Sequence, residues 1–420
     1  MSAPAPRIAV VSFPGNNCEV ESMRAIRQAG MEPQFFRWND DRALLEGVAG
    51  YFIPGGFSYE DRGRSGMVAG RDDLMDFIGQ EAEAGKVVIG NCNGAQILIE
   101  SGMIPLGEGL RMSLARNALK DASGVRSPGF LSEWVWIRPS CAATRCATSD
   151  WNEPMHLPIA HGEGRFITTD PDLIAALHER EQIAFSYCDA QGKISMDASV
   201  TPNGSTEGIA GICNPAGNVV ALMPHPERTQ NGNPYFASLR TWIQKSTKQF
   251  ESIKKDSPSP WNMPERTARG MEIFIDTIIV NNEERTVEQI AKKFVPGIRL
   301  KQWKYFSLKT SDPSIVLGNL ALFNMNKERA YIRRGDEIAR WNGVKKSEEP
   351  LASAEVKAIL AGIALLRRDV PDTGAAGLGA NAETGVCYVC TNASEQKLFL
   401  PVALEVFANP HASTLERMVF

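Results

Sequence analysis

Residues 86–99 read KVVIGNCNGAQILI. Lys86 to Gly90 is a short apolar run of the kind that forms a buried strand, and Ala95 to Gly102 continues as a helix. Between them stands Gly-Asn-Cys-Asn-Gly. A nucleophile on a tight strand-to-helix turn needs small residues two positions before and after it, because the backbone there is strained and passes close to its neighbours. Gly90 and Gly94 hold those positions around Cys92. The turn also sets the thiol at a helix N-terminus, where unpaired N–H groups favour the thiolate that attacks a carbonyl carbon. The competing reading of Cys92 is a small buried core cysteine.

Outward from this turn the same alternation repeats. Arg7 to Phe13 is strand-like, and Glu19 to Gly30 is helical with Val20, Met23 and Ile26 on one face. Gly50 to Pro54 is a strand leading into a Gly-rich loop, and Asp72 to Gly85 is helical. Short apolar strands alternating with amphipathic helices predict an α/β fold with a mainly parallel sheet flanked by helices, its ligands at the carboxyl ends of strands. Phe130–Arg138, Phe166–Thr168 and Ile183–Tyr187 have a more antiparallel texture. The expected organisation is a first domain over 1–245 and a linker over 246–270, rich in charge, Ser and Pro. A smaller C-terminal α+β region follows over 271–335, and 336–420 stays unassigned. Within 271–335, Ile273–Val280 and Ile298–Leu308 look like strands, and Val287–Phe294 and Ile315–Phe323 like helices. Beyond it, Ser353–Arg367 has a helical pattern, and Leu398–Phe407 is a last apolar segment.

Lys plus Arg (45) nearly balance Asp plus Glu (49), for a net charge of -4, so the chain has no electrostatic footprint for nucleic acid. It has no apolar run of membrane-spanning length, and MSAPAPRIAVVSF lacks the features of a signal peptide. A cytoplasmic location is expected. The eight cysteines are widely spread, which predicts reduced thiols, and Cys387-x-x-Cys390 is a lone pair without a partner pair for zinc. Neither a Walker loop nor a dinucleotide fingerprint is present, so no cofactor and no metal are expected in this chain.

A thiolate needs a proton-transfer partner, and there are five histidines: 156, 161, 178, 225 and 411. Residues 217–228, GNVVALMPHPER, run from a strand into His225-Pro226-Glu227. The proline forces His225 into an extended conformation, and in extended chain residues two apart share a side. Glu227 can therefore accept one imidazole N–H and leave the other nitrogen for the thiol. Alone, His-x-Glu would mark an exposed loop. His178, in AALHERE, sits on a polar helix face, and His161, in AHGEGRF, is in a loop near a site. The transition state carries an oxyanion, for which the backbone N–H of Asn93 is one donor. Ile53-Pro54-Gly55-Gly56-Phe57 supplies the second, from Gly56 or Phe57, unless that loop is a simple turn.

VSFPGNNCE, IPGGFSYEDRGRSG, GNCNGAQIL, PIAHGEGRF and ALMPHPER occur in this order over residues 7 to about 245. In this the chain resembles class I glutamine amidotransferases on a flavodoxin-like sheet, and specifically the PurQ-type glutaminase subunits of phosphoribosylformylglycinamidine synthase. The resemblance implies Cys92 as nucleophile, His225 as acid and base, and Glu227 as its orienting partner. It also implies Gly55, Gly56, Phe57, Asn93 and Gln96 around the glutamine. Ammonia would pass to a PurL-type synthetase subunit, which uses ATP and magnesium to aminate formylglycinamide ribonucleotide in purine synthesis. Such a subunit would end near residue 245. IRLKQWKYFSL (298–308) and VLGNLALFNMNKERAYI (316–332) faintly resemble the small PurS-type subunit that bridges glutaminase and synthetase. The alternative there is an unrelated appended domain. An independent cysteine hydrolase and a catalytically silent assembly protein are the other two readings of the whole. The elbow, the Gly loop and His-Pro-Glu in this order favour the glutaminase.

Overall fold

Ile8 and Val10 face one side of a sheet, Ala9 and Val11 face the other, and all four are buried. Val87 and Ile89 alternate with Val88 in the same way, as does Phe52 with Tyr51 and Ile53. A strand covered on both faces has to be apolar throughout, which is why these segments are continuous runs. In the computed structural model residues 4–107, 109–121, 124–245, 261–352, 354, 361–375, 378 and 382–420 are described, and the chain divides into two units, 1–258 and 259–420.

The first unit holds a nine-stranded sheet. Its strands are β1 (Arg7–Ser12), β2 (Glu32–Arg37), β3 (Gly50–Ile53), β4 (Val87–Asn91), β5 (Leu131–Pro139), β6 (Met155–His161), β7 (Ile183–Cys188), β8 (Ile209–Cys213) and β9 (Val219–Leu222). The order is β2-β1-β3-β4-β9-β8-β7-β5-β6. Pairings from β2 to β9 are parallel and those from β9 to β6 antiparallel. The mainly parallel sheet of the sequence reading is thus the half that carries the site, in the doubly wound order β2-β1-β3-β4-β9, and it continues into an antiparallel half. Helices α1 (Glu19–Gln28), α2 (Asp73–Glu83), α3 (Asn93–Glu100) and α4 (Asn233–Lys245) flank it. The side chain of Asp72 caps α2 by accepting from the Leu74 N–H at 2.9 Å. On α1 the buried stripe is Ser22, Ala25 and Ile26, and the expected Val20 points to solvent.

The second unit is built on another nine-stranded sheet. It consists of β10 (Glu265–Arg266), β11 (Met271–Thr277), β12 (Arg299–Leu308), β13 (Glu328–Arg334), β14 (Glu337–Asn342), β15 (Ser347–Pro350), β16 (Ile363–Asp369), β17 (Glu383–Thr391) and β18 (Ser413–Met418). Helix α5 (Asn282–Phe294) links β11 to β12, and α6 (Pro401–Phe407) precedes β18. The order β10-β18-β16-β17-β12-β11-β13-β14-β15 corrects the division at 335, because β12 pairs directly with β17 along nine residues. The expected linker lies outside the described residues over 246–260, and its end forms β10. Of the helix expected over 353–367, residues 353 and 355–360 lie outside the described residues, and Ile363 onward is strand. Ala364, Leu365 and Leu366 are buried between two antiparallel neighbours, so sheet burial overrides the helical spacing. The helix expected over 315–323 is limited to Ser314–Leu317, since Gly318 follows as its C-cap. Among the described residues no helix is long and apolar enough to cross a membrane.

Arg266 on β10 is 1% exposed and lies inside a cluster of charges. Its guanidinium donates to Glu416 at 2.9 Å, to Glu383 and to the Tyr305 hydroxyl at 2.9 Å, while Tyr305 donates to Glu272 at 2.6 Å. Arg368 donates to Glu416 and Glu383, and Arg333 stands 3.4 Å from Glu272. Removing one member of a buried ion cluster strands the others without compensation. Arg266→Ala is expected to destabilise the second unit by about 3–5 kcal/mol, measured by urea denaturation of the full chain. A loss below about 1 kcal/mol would show that water already reaches these carboxylates.

Candidate active site

Four segments leave the carboxyl ends of parallel strands and meet: 13–18 after β1, 54–61 after β3, Cys92 after β4 and 223–228 after β9. Cys92 is the N-cap of α3 with φ 51° and ψ −109°, a conformation that L residues avoid and that costs about 1–3 kcal/mol. Its N–H is held by the Leu222 carbonyl at 2.8 Å, which fastens the turn to β9. The two flanking glycines are required by space. A Cβ on Gly90 would stand 2.5 Å from the Gly94 carbonyl oxygen, and one on Gly94 would overlap the Ile53 carbonyl.

His225 and Glu227 are both buried, and His225 Nδ1 lies 2.5 Å from Glu227 Oε1. The second carboxylate oxygen accepts from Asn91 Nδ2 at 3.0 Å, and Asn91 Oδ1 accepts from the Tyr235 hydroxyl at 3.1 Å. This chain fixes the imidazole with Nε2 facing inward, where it has no hydrogen-bond partner. Burial works against the imidazolium, yet the sulfur of Cys92 and the Glu227 carboxylate hold the His225 pKa well above the ordinary histidine range. Burial opposes the Glu227 charge as well, and His225 and Asn91 outweigh it to hold that carboxyl below its usual value. The stability from His225 is therefore complete below pH 6.5 and lost as pH rises through its folded pKa. That from Glu227 is present above 4.5 and lost as pH falls through its folded pKa.

The predicted loop residues surround this pair. Gly55 lies against His225 and Cys92, since a Cβ there would be 2.7 Å from His225 Cε1 and 3.3 Å from Cys92 Cβ. Phe57 donates its N–H to the Gly15 carbonyl at 2.9 Å, which leaves Gly56 as the loop's candidate oxyanion donor. The Asn93 side chain braces that loop. Its Oδ1 accepts from the Ser58 N–H at 3.0 Å and from Asn16 at 3.3 Å, and its Nδ2 donates to Gln96 at 2.8 Å. Gln96 in turn donates to the Glu163 carbonyl at 2.5 Å. What Asn93 keeps for a ligand is its backbone N–H, in the first helical turn.

His178 is exposed and paired with Glu207 at 2.5 Å, in line with its polar helix face. His161 is buried, and its ring packs over Gly164. Burial, then the charge of His225, push its pKa down to about 3, so it is neutral at physiological pH. The sequence reading missed Cys18, whose sulfur accepts from Arg228 at 3.2 Å beside His225, and the Asn91–Tyr235 brace. It also missed the left-handed turn Tyr59-Glu60-Asp61, where φ is 51°, 58° and 53° in succession. Nothing in the residue types signalled that conformation, which these bulky side chains ordinarily avoid.

A buried thiol beside a carboxylate-braced imidazole is the equipment of acyl transfer through cysteine, so the class defined is a cysteine-dependent α/β enzyme. Comparison with known proteins narrows this class. The chain belongs to the CobB/CobQ-like glutamine amidotransferase domain family, whose model matches residues 5–255. Among its relatives, phosphoribosylformylglycinamidine synthase subunit PurQ of Methanothrix thermoacetophila is 46% identical over 53% of this chain and 86% of the relative. The subunit of the same name from Pyrococcus furiosus is 35% identical over 57% of this chain and 99% of the relative. A solved structure, PurLQS from Thermotoga maritima, aligns at 32% identity with a TM-score of 0.44, covering 57% of this chain and 99% of that one.

Burial, then the nearby Glu163, raise the Asp61 pKa from 3.8 to about 7. For an acid whose folded pKa is raised, stability is complete below the unfolded value and falls as pH climbs between 3.8 and about 7. Asp61→Asn is expected to match the wild type at pH 4 and to exceed its stability at pH 8 by roughly 1–2 kcal/mol. Thermal melts at the two pH values test this, and an equal difference at both would contradict it.

Proposed function

We propose that the first unit is the glutaminase of a phosphoribosylformylglycinamidine synthase, with Cys92, His225 and Glu227 as its catalytic residues. The observation that carries this reading is the His225 imidazole, tied to Glu227 through Nδ1 at 2.5 Å and open at Nε2 beside the Cys92 thiol. The Cys92 sulfur attacks the side-chain carbonyl carbon of glutamine, and the oxygen becomes an oxyanion held by the N–H groups of Asn93 and Gly56. The Cys92 sulfur and the Glu227 carboxylate favour the protonated imidazole, so His225 can give a proton to the nitrogen as the C–N bond breaks. Ammonia leaves, and a γ-glutamyl thioester remains on Cys92. Water then attacks the thioester with His225 taking its proton, the C–S bond breaks, and glutamate is released. Glu227 orients the imidazole throughout.

The relatives that share this unit are named as subunits of phosphoribosylformylglycinamidine synthase, and this supports a synthetase partner that receives the ammonia. In this reading ATP and magnesium belong to that partner, which aminates formylglycinamide ribonucleotide. The matched segment ends at residue 255, and the second unit follows it. We assign to that unit the bridging part of a PurS-type small subunit, in keeping with the strand–helix–strand of 271–308. Covalent linkage would raise the bridge's effective concentration at the synthetase. The eight free cysteines suit a reducing, cytoplasmic setting.

A glutamine-analogue diazoketone, followed by peptide mass spectrometry, should label Cys92 and no other cysteine. In the reconstituted complex Cys92→Ala should abolish glutamine-dependent amination and leave ammonia-dependent amination intact. Label elsewhere, or equal loss of both activities, would sink the assignment. For the second unit, the full chain should capture the synthetase from solution, and a chain ending at 258 should capture at least about tenfold less. Equal capture by the two would remove the bridging role.

A further inference from the structure

Cys18 has no task in the reaction above, yet it is fully buried and turned toward the reacting groups. One donor atom from each of Cys18, His225 and Glu227 lies within 4.8 Å of the others. The place where a Gly55 Cβ would stand is 3.1 Å from Cys18 Sγ, 2.7 Å from His225 Cε1 and 3.3 Å from Cys92 Cβ. Because Gly55 has no side chain, the Cys18 sulfur, the His225 ring and the Cys92 β-carbon pack around one point. On the same ring, His225 Nε2 is buried and has no hydrogen-bond partner. Both oxygens of Glu227 are engaged, one by His225 Nδ1 and one by Asn91.

We propose that these groups form a site for a thiophilic divalent cation of the zinc class, bound by Cys18 Sγ, Cys92 Sγ and His225 Nε2. Two sulfurs and one imidazole nitrogen are the donor set that selects zinc over magnesium or calcium. Glu227 on the far ring nitrogen completes the carboxylate–histidine–metal arrangement, which fixes the tautomer and strengthens the ligand. Donors on one tetrahedral zinc stand roughly 3.6 Å apart, and the Cys18 and His225 donor atoms already lie within 4.8 Å of each other. Binding displaces to solvent the proton on His225 Nε2 and any proton on the two sulfurs, and the two thiolates balance the dipositive ion. Burial pushes the Cys18 thiol up, and His225 and the Arg228 N–H, which bonds the sulfur at 3.2 Å, offset this only in part, so the thiolate forms as the metal binds. An ion held this way occupies the sulfur that glutamine needs and the nitrogen that carries the proton. Zinc thus acts as a reversible off-switch for ammonia release. This consequence rests on the glutaminase assignment, whereas the binding itself does not.

The test uses the full chain, reduced and stripped of metal, with Cys18→Ala and the size-conserving Cys18→Ser. Zinc held at set free concentrations by a chelator should inhibit wild-type glutaminase activity in the presence of the synthetase. In both variants the half-inhibiting concentration should rise by at least about tenfold, each measured against its own uninhibited rate. Cobalt(II) should give thiolate charge-transfer absorption that weakens in Cys18→Ala and equally in Cys92→Ala, with circular dichroism confirming that each variant is folded. Unchanged zinc sensitivity without Cys18 would mean that the metal attacks Cys92 alone and would overturn the proposal. So would a cobalt band indifferent to Cys18, which would place the metal on other cysteines. If no glutaminase activity is found under any condition, the cobalt series still decides the site, and it is the glutaminase assignment that falls.

Discussion

The close passage of the Cys92 turn against the end of β3 is the constraint on which the rest of the first unit depends. Gly94 lies so near the Ile53 carbonyl that no side chain fits between them, and Gly90 lies as near Gly94. That contact brings the thiol, the Gly55–Gly56 loop and the start of α3 to one point. The strained φ of Cys92 is held in place by the β9 carbonyl that accepts its N–H. The adjacent loop is strained in turn at residues 59–61, and bonds from Asn93, Pro14 and Gly15 keep it there.

Electrostatics in the two units follow different logic. In the first, burial alone would neutralise His225, and the Cys92 sulfur together with the Glu227 carboxylate reverses that outcome. Its neighbour His161, equally buried but without a carboxylate, stays neutral. The charges beside each ring therefore set the two histidines apart. In the second unit buried arginines and glutamates neutralise one another around Tyr305. That cluster ties β10, at the sheet edge, to β11, β17 and β18, so strands remote in sequence depend on a shared charge balance.

Cys18 shows how a site can gain a second use from its own geometry. The bare backbone at Gly55, which lets the imidazole approach Cys92, also brings the Cys18 sulfur to the same point. The imidazole that is braced for proton transfer is, for the same reason, a well-oriented metal ligand.

By itself the sequence determined the first parallel strands, the helices between them and the cysteine elbow of the first unit, but not the strands Glu32–Arg37 and Met155–His161, the second of which ends on the His161 read as a loop residue. Strands buried on both faces must be continuously apolar, and a nucleophile elbow needs its two glycines, so Cys92 and the alternating pattern around it were legible. Pro226 made His225-x-Glu227 legible too, because it sets the local backbone. Only the tertiary structure decided which groups meet from distant segments: Asn91 and Tyr235 behind Glu227, Cys18 and Arg228 beside His225, and Arg266 among Glu272, Glu383 and Glu416. It also decided that residues 363–369 are strand and that 265–418 form a single sheet. Local spacing governs a segment's own periodicity, whereas pairing and burial depend on neighbours more than a hundred residues away, which no local pattern encodes.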